Sequence, residues 1–94
     1  MLNKKESQVT EFKTAWRDEY LKVICAFANT DGGELTLGVD DKGNPVGVKN
    51  SKKLLENLPN KFRDVLGIIP KIKLEKKKGK DIISIKVEYS YVPI

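Results

Sequence analysis

The residues Glu34-Leu35-Thr36-Leu37-Gly38-Val39-Asp40 alternate strictly between apolar and polar, and they follow directly on a run with a different period. From Trp16 to Asn29 the apolar positions Trp16, Tyr20, Val23, Ile24, Phe27 and Ala28 recur at steps of three and four. A switch from helical to strand spacing within a few residues predicts a helix that delivers the chain straight into a half-buried strand. Between them stands Asn29-Thr30-Asp31-Gly32-Gly33, whose Asn and Gly suit a helix stop.

Gln8 to Lys13 alternates as a short strand, with Phe12 expected to face the core. Asp41-Lys42-Gly43-Asn44 supplies turn chemistry, and Pro45-Val46-Gly47-Val48 is expected to return as a strand. Asn50 or Ser51 is expected to cap a second helix that buries Leu54, Leu55, Leu58, Phe62, Val65 and Leu66, with Pro59 kinking or dividing it. Lys71 to Glu75 and Asp81 to Tyr89 alternate around a basic tip, which predicts a terminal hairpin with Ile83, Ile85, Val87 and Tyr89 inward. The expected fold is α/β of the α+β kind, in the order βαββαββ. One mixed sheet of about five strands carries two helices on one face, leaving Thr36, Lys71, Lys73, Ser84 and Lys86 on the open face.

Composition narrows the chemistry. The 94 residues include no histidine and one cysteine, so Cys/His zinc sites, Ser-His-Asp triads and Cys-His dyads are excluded within this chain. Cys25 cannot form an intrachain disulfide, which fits a reducing, cytoplasmic setting. No apolar run is long enough to span a membrane. The net charge of +5 conceals a split: residues 1–48 hold six basic and eight acidic side chains, residues 49–94 twelve basic and five acidic. Such segregation points to a polyanion such as the backbone of DNA or RNA, with solvated lysines as the plainer alternative. The candidate contacts are Lys71, Lys73, Lys76, Lys77, Lys78 and Lys80, with Tyr89 and Tyr91 as the aromatic platforms within reach.

Three acids form a second candidate set. Glu11 and Lys13 share a side of their strand, and Asp40 lies outward on the next; if those strands are neighbours they converge, with Glu6 entering from the preceding segment. Glu6, Glu11 and Asp40 are hard oxygen ligands of the kind that hold Mg²⁺ or Mn²⁺, and Lys13 would assist at a phosphodiester. An exposed Glu11 and Lys13 ion pair of little consequence is the plainer reading. A nucleotide P-loop is disfavoured, because the glycines lie between helix and strand rather than strand and helix, and no lysine follows them. An ATP cofactor is not expected.

The ordered set Glu6-Ser7, Glu11-Phe12-Lys13, Cys25 to Gly33, Leu37 to Gly43 and Val46-Gly47-Val48 resembles the Schlafen AlbA-like domain over nearly the whole chain. That resemblance implies an α/β domain with a nucleic-acid-binding role, found in transcriptional regulators and helicase-related proteins. In the animal Schlafens two glutamates and an aspartate at these motif positions, here Glu6, Glu11 and Asp40, form a nuclease site acting on structured RNA. Those enzymes set two related lobes around the substrate and this chain supplies one, so the resemblance implies either a homodimer or further sequence. Residues 1–94 are accordingly expected to be the N-terminal domain of a longer protein. Three functions remain open at this point: a DNA- or RNA-binding domain, a metal-dependent endoribonuclease, and a non-catalytic dimerisation module.

Overall fold

The structure is a computed structural model that describes residues 9–90. The expectations placed on Glu6 and Tyr91 lie outside those residues. Strand β1 spans Val9–Lys13. A 3-10 turn at Asp18–Tyr20 leads into α1, Leu21–Asn29, and β2 follows at Gly33–Leu37. Helix α2 covers Ser51–Lys61 and continues as a π-helical stretch, Phe62–Leu66. Strands β3, Lys71–Lys77, and β4, Lys80–Val87, are the last elements among the described residues. The sheet order is β1-β2-β4-β3, with β1 parallel to β2 and the remaining pairs antiparallel.

Alternation decides the sheet's two sides. Leu35 lies opposite Ile85, and Leu37 opposite Ile83, so both strands turn the same apolar face inward. These four and Val87 are fully buried against Ile24, Phe27 and Ala28 of α1, Leu58 of α2 and Phe62 of the π-helical stretch. Both helices therefore cover one face, as the pattern predicts. Helix α1 ends where Asn and Gly predict it: the Gly32 amide donates to the Phe27 carbonyl at 2.9 Å, and the Thr30 hydroxyl to that of Ala26 at 2.8 Å.

Several differences from the expected pattern have local causes. Trp16 precedes the first helix and packs edge-on against Tyr20 and Phe62 at 5.9 and 5.8 Å. Pro59 lies inside α2, and the division comes after it, where the helix widens at Phe62. Asn50 makes no side-chain cap; instead the Ser51 hydroxyl donates to Asp81 Oδ2 at 2.6 Å and ties the helix start to β4. The sheet has four strands among the described residues rather than about five, and the order is βαβαββ. The segment 45–48 keeps only one bridge, Val39 to Pro45. Gly38 is the reason: at φ +93 it turns the chain out of the strand, and its carbonyl accepts from both Val46 and Gly47, so the ladder is pinched at one residue.

Candidate nucleic-acid interface

The strand registers set out the side of the sheet away from the helices as rows. The first row runs Thr10, Glu34, Lys86, Lys71, and the second Phe12, Thr36, Ser84, Lys73. Beyond them Ile82 lies opposite Glu75, and Lys80 opposite Lys77. Lys71, Lys73, Lys77, Lys80 and Lys86 thus share one face, in the half built by β3 and β4. Lys71 faces Lys86 directly, as Lys77 faces Lys80, and like charges in such positions repel. The offset is modest: the Lys73 ammonium is 3.8 Å from the Glu75 carboxylate, and both side chains are solvated. A bound polyanion would relieve this repulsion.

Two of the six lysines singled out in the sequence stand apart. Lys76 falls on the helix side of β3, where its ammonium is 3.0 Å from Asp81 Oδ1. The Ser51 hydroxyl, and then Lys76, hold the Asp81 carboxyl below its ordinary range. Lys76 therefore ties β3 to β4 at the residue through which Ser51 ties β4 to α2. Lys78 and Gly79 form the two-residue tip of the hairpin with φ of +54 and +75, the positive pair that a type I′ turn requires. Lys78 is exposed at that tip, beyond the rows.

The acids are distributed differently. Glu11 and Lys13 pair with Leu35 and Leu37, which places them on the helix side of the edge strand, and the Lys13 ammonium lies 5.1 Å from the centre of the Tyr20 ring. Asp40 organises its own loop: Oδ1 accepts from the amides of Lys42 and Asn44, both at 2.9 Å, and Oδ2 from Asn44 Nδ2 at 3.4 Å. The Asn44 amide contributes most to lowering its pKa, so the carboxylate is charged at neutral pH but committed to the turn. Among the described residues no group of three or more His, Cys, Asp or Glu is placed to hold a metal, and Glu6 lies outside them. Glu11 and Asp40 do not by themselves make a site fitted to Mg²⁺ or Mn²⁺.

The sequence pattern misplaces Phe12, as it does Val65 and Tyr89, which it turns inward and the structure leaves exposed. Phe12 pairs with Thr36 and so lies on the face opposite the core, 37% exposed. The loop after Gly38 folds over this end of the sheet, so that Val39, Gly43 and Pro45 join Phe12, Thr36, Ile82 and Ser84 around a hollow of about 270 Å³. The signal for Phe12 was present in Thr10-Glu11-Phe12-Lys13, since alternation says which residues share a face. It does not say which face the helices will cover. At the other end of the lysine half, Tyr89 is half-exposed in a second hollow with Ile69, Lys71 and Lys86.

The sequence model of the family described as Schlafen, AlbA_2 matches residues 6–93. No curated protein matches this chain. Among solved structures, it is similar to the N-terminal domain of an ATP-dependent DNA helicase RecG-related protein, so named, from Nitrosomonas europaea. The identity is 30% and the TM-score 0.73, covering 85% of this chain and 62% of that one. A protein from Corynebacterium diphtheriae shares the fold with a TM-score of 0.75 at 20% identity, over 98% of this chain and 20% of its own. The chain thus spans less than two thirds of either structure. No helix among the described residues is long and apolar enough to cross a membrane.

Proposed function

Because this chain belongs to the Schlafen, AlbA_2 family, we propose that it is a nucleic-acid-binding domain of a longer regulatory or helicase-related protein, gripping the phosphate backbone through the lysines of its uncovered sheet face. The observation that carries this reading is the register that gathers Lys71, Lys73, Lys77, Lys80 and Lys86 on one face of β3 and β4. Ammonium groups on a firm strand pair are point charges suited to phosphates, and they bind by releasing counterions rather than by reading bases. The name of the Nitrosomonas europaea protein and the partial share of each neighbour that this chain spans, 62% and 20%, support a role beside other domains.

Fluorescence anisotropy with labelled duplex DNA, single-stranded DNA and tRNA tests this directly. Five engaged lysines give a slope of log affinity against log salt of about −3.5 for a single strand and about −4.5 for a duplex. No binding at low salt, or binding indifferent to added salt, contradicts the proposal.

A further inference from the structure

The uncovered face is divided in its chemistry as well as its charge. Its β3 and β4 half is rich in lysine, while beneath the loop after Gly38 it sinks into a hollow that all four strands line, with Lys77 of the lysine half at its β3 side. That hollow offers what a flat heterocycle needs. Phe12, partly exposed, lines it together with Pro45, the hydroxyl-bearing Thr36 and Ser84, the acidic Glu34 and Glu75, and Lys77, whose ammonium suits the phosphate next to a seated base. Thr36 is only 8% exposed, the one buried polar residue of the described chain, and it is buried here rather than in the core. Carboxylates repel phosphates but accept hydrogen bonds from exocyclic amino groups of bases. At about 270 Å³ the space is below the usual range for a drug-sized ligand and suits one small ring system.

Building on the phosphate-binding reading above, we infer that the ligand of this face is a single strand, with one unpaired base seated against Phe12 and the backbone running over the lysines of β3 and β4. Phe12, Thr36, Ser84 and Lys73 lie in one row across the sheet, and three strand spacings put Phe12 about 14 Å from Lys73. Lysine's long stem reaches back over part of that distance. A base in the hollow and a neighbouring phosphate at Lys73 are therefore held together. A duplex keeps its bases stacked and paired, and it engages the lysines alone.

The test compares three labelled oligonucleotides of equal length: a single strand with bases, an abasic strand of the same charge, and a duplex. Base stacking on an aromatic side chain makes the wild-type protein bind the first more tightly than the abasic strand by about five- to a hundredfold. Phe12→Leu keeps an apolar side chain beneath the loop and brings binding down to the abasic level, whereas Phe12→Trp retains the preference. Equal wild-type affinity for normal and abasic strands, with a steep salt dependence for both, overturns the base site and leaves the lysine face standing. Single-strand binding unchanged in a folded Phe12→Leu variant overturns it too. Failure to bind any of the three overturns both readings.

Discussion

The two faces of the sheet share the same four strands and obey different rules. On the helix side, Leu35, Leu37, Ile83, Ile85 and Val87 leave no room for choice, because each fills space against Ile24, Phe27, Leu58 or Phe62. On the other side, Lys71 is set against Lys86 and Lys77 against Lys80, arrangements that stability alone would not favour. The covered face accounts for the fold, and the uncovered face carries features the fold does not need. Lys76 and Lys73, three positions apart on one strand, make the contrast sharpest: one is ion-paired with Asp81 beside the start of α2, the other stands on the lysine face.

The largest effect is expected on the covered side. Phe62→Ala removes a fully buried ring and lowers unfolding free energy in urea by about 3–5 kcal/mol. A loss below about 1 kcal/mol would mean that the core does not depend on this ring. Gly38→Ala comes next. Its added methyl meets Val48 Cγ2 at 2.8 Å and the Asp81 carbonyl at 2.9 Å, at a φ of +93. The strain is worth about 1–3 kcal/mol and disturbs the loop that roofs the Phe12 hollow, so stability and single-strand preference fall together. A change in neither would separate the hollow from the turn.

Asp81→Asn probes the fastening beneath the lysine hairpin. Ser51 and Lys76 lower the Asp81 pKa, so the folded state binds that proton less readily than the unfolded chain. The resulting stability is fully present above the unfolded value of about 3.9 and is lost as pH falls through the lower folded value. The variant is less stable at neutral pH, and its stability declines less steeply between about pH 5 and pH 3. Urea midpoints across that range check both, and an unaltered acid limb would dismiss the network. The smallest effect is the most discriminating. Lys73→Gln makes the salt slope for a single strand shallower by about 0.7 without changing stability, whereas Lys76→Gln lowers stability and leaves the slope as it was. Equal slopes for the two variants would erase the distinction between the faces.

Much of the covered face was legible in the amino-acid sequence. The alternation of Leu35 and Leu37, the inward set Ile83, Ile85 and Val87, and the helix stop after Asn29 all appear in the structure as the residue spacing predicts. Local pattern suffices where burial is strong, because a slip of one residue would turn an apolar set into water. The uncovered face was legible in part. Lys71, Lys73, Ser84 and Lys86 followed from the same alternation, but Phe12 did not, since its face depends on where α1 and α2 pack. Asp40 shows the same limit. Alternation carries the strand on to Asp40, whereas β2 ends at Leu37 and Asp40 lies in the loop beyond, where the three hydrogen bonds it accepts depend on how the chain turns after Gly38. Pro45 to Val48 read as a strand by composition and lost its ladder to that turn.

In the proposed function, the lysines of β3 and β4 opposite the helices form the binding face. Replacing Lys71, Lys73, Lys77, Lys80 and Lys86 together with Gln, and measuring anisotropy of a labelled single strand from low to moderate salt, tests it most directly. The protein should remain folded, its affinity should collapse at low salt, and the salt slope should shrink from about −3.5 towards zero. A folded variant that keeps the wild-type slope and affinity would contradict the claim and move the interface to the other side of the molecule.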